Sequence, residues 1–293
     1  MGTVLNSVHP FTSFFYFVGV IILSMMFLHP VFLVIELLLL VLYNLVQKNG
    51  AKLKQTMKGS WFLILAIIII NPLLNHRGSH FLFYIGNNPI TLEAVVYGII
   101  MALSFSCLLI TFISYNSVIT SHKFLYLFSR ISPQLALLTM ITMRFVPLFI
   151  RRLTTISAIQ KTRGIQMTSG KIKKRAHNGM RLVQILLVCS LEEALQTADS
   201  MEARGYGVKK RTTYLSYQLE RRDIISLIGG LLILLICIYS KLQGFGNLQI
   251  YPELGRMGLD LIQNQIVLIL TVLFVGYPLI LEGRELLWWS WQK

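Results

Sequence analysis

The chain has 293 residues, 55% of them hydrophobic and 13% charged, against roughly 25% charged in an average soluble domain. A mean hydropathy of +0.65 with long apolar runs excludes an ordinary soluble domain, and runs that are continuous rather than alternating exclude a β-barrel. The formal net charge of +15 leaves three kinds of partner open: nucleic acid, an anionic membrane surface, or an acidic protein surface.

The expected class is therefore an all-α, polytopic helical membrane protein. Residues 11–28 (FTSFFYFVGVIILSMMFL) form the first expected span and 31–46 (VFLVIELLLLVLYNLV) the second. His29-Pro30 breaks them tightly, because proline disfavours helix at the residue before it. No cleavable signal peptide is expected, since the first run starts near Phe11 without a basic flank or a small-residue cleavage site. Lys48, Lys52, Lys54 and Lys58 mark a basic loop, and 61–74 is a short third span. Asn75, Gly78, Gly86, Asn87, Asn88 and Pro89 make 75–91 a loop by composition. Residues 92–115 form the fourth span, and the last two lie near 224–240 and 264–281. Trp288, Trp289 and Trp291 suit an interfacial anchor. About six spans result.

The middle of the chain differs. Between Glu93 and Glu192 there is no acidic residue, while Arg144, Arg151, Arg152, Lys161, Arg163, Lys171, Lys173, Lys174, Arg175 and Arg181 accumulate. Residues 132–152 are apolar enough for a span, but Arg144 and Pro147 interrupt them. A crossing there would also put the densest basic block outside, against the positive-inside rule. Residues 132–152 are expected against other helices or at the inner surface. The organisation is thus 1–131, four spans; 132–215, a cytoplasmic module of long helices; and 216–293, two spans. Both termini are expected on the cytoplasmic side.

Ser132-Pro133 is a good helix start. From there to Arg163 a helix would run about 48 Å at ~1.5 Å per residue, kinked near Pro147, with Gly164 ending it. A loop carrying Gly170, the Lys171–Arg175 charge run and Gly179 follows. A second helix is expected from about Met180 to Arg204, ended by Gly205, its first half packed and its second half polar with Glu192, Glu193, Asp199 and Glu202. Two Arg-Gly pairs thus sit at two helix ends in alignable frames, QKTRG and MEARG. Glycine past a helix end adopts the left-handed conformation that terminates it. Arginine there suits the helix dipole, and its fork can grip carboxylates or carbonyls. Alanine beside it keeps the tip narrow.

Other constellations carry less. Cys107, Cys189 and Cys237 lie in apolar stretches and read as small buried hydrophobes. GIQMTSGKI (164–172) misses the phosphate-loop spacing by one residue and has Ile172 where Ser or Thr is required, which points to nucleotide being handled by a partner. His76 and His80 lack a nearby carboxylate or helical pattern for a metal site, and His9, His29, His122 and His177 lie in loops or at helix ends. No GxSxG or comparable nucleophile element appears. Glu36, a carboxyl inside a span, is a functional candidate on cost alone. Met140, Met143 and nearby leucines form packing surface suited to a sliding contact. No zinc finger or aromatic RNA platform accompanies the charge, so nucleic acid is not expected as a partner.

RFVPLFIRR...AIQKTRG (144–164) with LEEALQTADSMEARGYG (191–207), and NSVHPFTSFFYFVGV (6–20), resemble the transmembrane T component of energy-coupling factor transporters, a family that includes cobalt-transport permease relatives. The resemblance covers most of the chain, and its most specific part is the paired Arg-Gly helices. The first copy departs from the Ala-Arg-Gly form by carrying Thr162. The resemblance implies a scaffold in the prokaryotic plasma membrane, not an enzyme. It also implies that the long helices of the cytoplasmic module are coupling helices, whose tips, Thr162, Arg163, Gly164 and Ala203, Arg204, Gly205, would dock into two partner ATP-binding-cassette ATPases. A small membrane-embedded S component would hold the vitamin or metal ion. No cofactor is expected on this chain, with ATP and Mg on the partner ATPases and membrane lipid around the spans. The alternative from another class is a membrane enzyme acting on lipid-linked substrates through a basic cytoplasmic surface.

Overall fold

The computed structural model describes residues 8–75, 78–85, 88–129, 131–164, 172–208, 217–250, 255 and 262–291, with side chains described for all of these except 83, 85, 88, 89 and 284–291. Of the residues singled out above, Asn6, Ser7, His76, Gly86, Asn87 and the stretch 165–171 with Gly170 and Lys171 lie outside this set, as do the side chains of Trp288, Trp289 and Trp291.

Helices α1 (Pro10–Met26), α2 (Pro30–Val46) and α3 (Gly50–Leu74) are followed by an antiparallel hairpin, β1 (Phe81–Ile85) and β2 (Asn88–Thr91). Then come α4 (Leu92–Val118), α5 (Ser121–Ser129), α6 (Pro133–Thr162), α7 (Ile172–Ala203), α8 (Arg221–Leu242) and α9 (Ile262–Trp291). The protein is all-α apart from the hairpin. Helices α3, α4, α6, α8 and the Ile262–Gly283 part of α9 are long and apolar enough to cross a bilayer. Helices α1 and α2 are equally apolar at 17 residues, near the lower limit of a spanning helix. The chain divides into two compact units, residues 1–124 with 217–293, and residues 125–216.

The first unit is built on two repeated starts. His9 and His29 each precede a proline, and each ring Nδ1 accepts the backbone N–H two residues on, Phe11 at 3.2 Å and Val31 at 3.3 Å. Proline loses no helical bond at the first position, and the imidazole satisfies a donor the helix leaves orphaned. Burial lowers the pKa of His29, which keeps the ring in the neutral form this bond requires. The core is a single cluster: Phe17, Val20 and Leu23 of α1, Leu33, Leu40 and Tyr43 of α2, Ile100, Cys107 and Ile110 of α4, Cys237 of α8 and Val275 of α9. Helix α4 packs along α2 and α3. Past its end, Lys123 donates from Nζ to Val118 O at 3.2 Å, where a cation suits the dipole, and burial lowers its pKa.

Several polar groups inside this unit are tied within the chain. Glu36 is buried, its Oε1 in contact with Ser24 Oγ, and Ser104 Oγ donates to Ser24 O at 2.8 Å, so a polar seam links α1, α2 and α4. Asn44 Nδ2 donates to Leu40 O and Ile110 O. Cys107 and Cys237 are buried and Cys189 is half-buried, all free.

Three expectations are corrected here. The basic loop at 48–58 is only the turn Gln47–Asn49, with Lys48 at φ 59°, because lysine is a good helix former and Lys52, Lys54 and Lys58 extend α3 back to Gly50. The loop at 75–91 contains the hairpin. Glu93, fully buried, accepts from the Ser79 and His80 backbone N–H groups at 3.3 and 3.1 Å and lies 2.8 Å from His80 Nδ1, fastening the chain before β1 to the first turn of α4. Gly78 permits this closeness, since a Cβ there would sit 2.4 Å from Glu93 Oε2 and its φ is +147°. Helix α7 begins at Ile172 rather than near Met180. Lys173, Lys174 and Arg175 are helical, and Gly179 is carried inside the helix at a cost of about 1 kcal/mol.

Candidate functional site

The second unit contains α6 and α7, of 30 and 32 residues. Helix α6 starts at Pro133 behind Ser132 as expected and passes through Pro147 without ending, although proline leaves the carbonyl of Met143 without its helical donor. The two helices end alike. In α6 the C-cap is Arg163, Gly164 has φ +77°, and Gly164 N donates to Lys161 O at 3.1 Å. In α7, Gly205 has φ +77° and donates to Glu202 O at 2.8 Å, with Tyr206 N donating to Met201 O at 3.0 Å. Those two bonds make the α7 end a Schellman motif, and α6 shares its inner bond.

Both arginines therefore occupy the same cap position, and Thr162 and Ala203 are the last helical residues before them. All six tip residues are exposed, and a Cβ at Gly164 or Gly205 would meet nothing within 4 Å. Thr162 spends its hydroxyl on Ile159 O at 2.7 Å, so it presents a methyl group outward much as Ala203 does. The tips are uncluttered, capped through the backbone and cationic.

One contact between α6 and α7 was not foreseen. Arg152 Nη1 lies 2.9 Å from Glu193 Oε2 and donates to Cys189 O at 3.3 Å. Eleven residues separate Arg152 from Arg163, and eleven separate Glu193 from Arg204. At ~1.5 Å per residue, each tip stands about 16 Å from the pair. The signal was present in the aligned frames, where opposite charges fall at the same register. Toward the α6 tip the helices leave a groove of about 530 Å³ lined by Gln160, Arg163, Arg181, Gln184 and Val188, which carries two guanidinium groups.

The expected packed first half of α7 is corrected as well. Met180, Val183, Leu187, Val188 and Leu191 are at least half exposed, and only Asn178 and Leu182 are buried. Met140, Met143 and Val146 of α6 are also exposed. Two long helices thus carry open apolar faces and arginine-tipped ends. Among the described residues no three His, Cys, Asp or Glu side chains gather to hold a metal ion.

By architecture the chain is a helical protein with several helices long and apolar enough to cross a bilayer and two long helices in a second unit. Residues 1–215 match the family described as cobalt transport protein, CbiQ, and the chain belongs to that family, within which it is a transmembrane T component of the energy-coupling factor type. It is 30% identical over 198 residues to the energy-coupling factor transporter transmembrane protein EcfT of Leuconostoc gelidum subsp. gasicomitatum, covering 63% of this chain and 73% of that protein. With the EcfT of Bacillus subtilis (strain 168) it shares 30% identity over 181 residues, 57% of this chain and 68% of the relative. The match to the EcfT of Staphylococcus aureus (strain 04-02981) reaches 34% but spans 112 residues, 38% of this chain and 42% of that protein's length.

Proposed function

We propose that the chain couples ATP hydrolysis by two partner ATPases to movement of a small substrate-binding membrane protein, driving uptake of a vitamin or metal ion. The observation that carries this reading is the pair of similarly capped helix ends, Arg163-Gly164 and Arg204-Gly205, each eleven positions from one ion pair. Two ATPases present two docking grooves, and two equivalent tips on stiff helices answer that requirement. Each guanidinium would grip an acidic or carbonyl-rich groove, and ATP-driven closure of the ATPases would move α6 and α7 together.

Topology supports the same side for the tips. Counting α1, α2, α3, α4, α8 and α9 as the six spans leaves residues 125–216, with their excess of Lys and Arg, on the cytoplasmic side together with both termini. Helix α6 is long and apolar enough to cross, but crossing would carry Arg151, Arg152, Lys161 and Arg163 to the exterior. ATP and Mg would be bound by the partners. The membrane part, residues 1–131 and 216–293, would serve as the frame against which 132–215 moves.

The test is affinity purification of the tagged chain from its native membrane, followed by replacement of both arginines by alanine. ATPase subunits and a small hydrophobic membrane protein are expected with the native chain. Loss of an interfacial guanidinium typically costs roughly 2–5 kcal/mol, so the Arg163→Ala, Arg204→Ala variant should insert normally and recover little ATPase. A chain that purifies alone, or a double variant that keeps its ATPases and its uptake, overturns the proposal.

A further inference from the structure

A cavity of about 480 Å³ lies in the first unit between α1, α8 and α9, within the size range that holds a small ligand. Its walls are apolar, with Phe15, Phe274 and Tyr277 among them, and Gly229 opens its floor because a Cβ there would meet nothing within 4 Å. At one end stand Arg222 and Thr12. Arg222 Nε and Thr12 Oγ1 are both buried, and neither has a hydrogen-bond partner. No ion pair engages the Arg222 guanidinium among the described residues. The neighbouring Asp223 does not neutralise it, its Oδ2 instead accepting the His9 backbone N–H at 3.3 Å.

A buried guanidinium nitrogen without an acceptor is costly, and so is a buried hydroxyl left unbonded. Two such groups on one cavity mean that the cavity's natural occupant brings acceptor oxygens to that end and apolar surface to the rest. Arg222 is the second residue of α8, a helix long and apolar enough to span, so a spanning α8 would hold it at headgroup depth, while the remaining walls run along the apolar part of α8 and α9. A single cation suits a singly charged phosphodiester, and basic pockets between transmembrane helices are a recurrent site for anionic headgroups. A nucleotide, with several charges, would find one guanidinium and an apolar interior.

We propose that this cavity binds one anionic phospholipid, its phosphodiester on Arg222 and Thr12 and an acyl chain over Gly229 between Phe15, Phe274 and Tyr277. The inference rests on α8 and α9 spanning the bilayer and is independent of the coupling role of α6 and α7. The lipid would act as a structural wedge holding three helices that the chain alone leaves apart at this level.

The experiment uses the purified full chain in detergent, with native mass spectrometry and thermal unfolding read against added dioleoyl phosphatidylglycerol, dioleoyl phosphatidylcholine or sodium phosphate. One phosphatidylglycerol should be retained per chain and should raise the unfolding temperature, with phosphatidylcholine at least ten-fold weaker and phosphate without effect. Arg222→Gln should weaken phosphatidylglycerol at least ten-fold. Gly229→Leu, whose Cβ would meet nothing within 4 Å and which favours helix, should abolish retention while leaving unfolding in phosphatidylcholine unchanged or higher. Equal binding of the two lipids, undiminished phosphatidylglycerol binding in Gly229→Leu, or stabilisation by phosphate alone overturns the proposal.

Discussion

The ion pair between Arg152 and Glu193 is the part of the second unit whose removal has a calculable consequence. Its side chains are 35% and 23% exposed, so the pair falls between a surface bridge, worth about 0.2–1 kcal/mol, and a buried one, where stranding a partner costs about 3–5 kcal/mol. Arg152 also loses its bond to Cys189 O when truncated, and a net cost of about 1–2 kcal/mol is the reasonable figure. The geometry amplifies it. With tips about 16 Å away, slack of about 10° at the pair moves each tip by roughly 3 Å, the length of a hydrogen bond. Binding of the cognate ATPases to chains carrying Arg152→Met, Glu193→Gln or both forms a double-mutant cycle. Each single variant should weaken binding by roughly 5- to 30-fold, taking about 1.4 kcal/mol as a factor of ten, and the double variant should be no worse than the weaker single one. The exchange Arg152→Glu with Glu193→Arg should recover much of the loss. Wild-type affinity in the single variants, or losses that simply add, would refute the reasoning that this pair sets the tips.

Two further outcomes follow from backbone and titration chemistry. Gly205→Val puts a β-branched residue at φ +77°, where the strain for an L-residue is about 1–2 kcal/mol, so hydrogen exchange at Arg204, Gly205 and Tyr206 should speed up while nothing nearby is displaced; unchanged protection there would count against the cap. His29 caps α2 only when its ring is neutral, and its pKa is lowered by burial, so its contribution is fully present above the ordinary histidine value and is lost as pH falls through the depressed folded value. The unfolding temperature of the native chain should therefore fall on acidification, and His29→Asn, which caps without titrating, should flatten that part of the pH profile.

What was legible in the residues is what local chemistry dictates. Long apolar runs gave the apolar helices, His29-Pro30 the break between α1 and α2, Ser132-Pro133 the start of α6, and the two Arg-Gly pairs the ends of α6 and α7. Boundaries failed where charge was taken for loop. Lys52, Lys54 and Lys58 in α3, and Lys173 to Arg175 in α7, are good helix formers whose long stems leave the charge in water. The hairpin at 81–91 was hidden because its strands are five and four residues long and its fastening to Glu93 depends on residues fourteen positions apart. Arg152 and Glu193 are 41 positions apart, the same offset that separates Arg163 from Arg204, yet only the fold shows that this offset brings side chains into contact. The cavity beside Arg222 is not legible in the sequence, since it is lined by residues of α1 and, more than 200 positions away, of α8 and α9.

The central claim is that the ends of α6 and α7 meet ATPases on the cytoplasmic side. Photo-cross-linking residues placed at Thr162 and Ala203, irradiated in intact native membranes, test it at the atoms concerned. Adducts to ATPase subunits from both positions, with neither position reached by a membrane-impermeant label from outside, are the predicted result. External labelling of either tip, or irradiation that yields no ATPase adduct from both, would contradict the account.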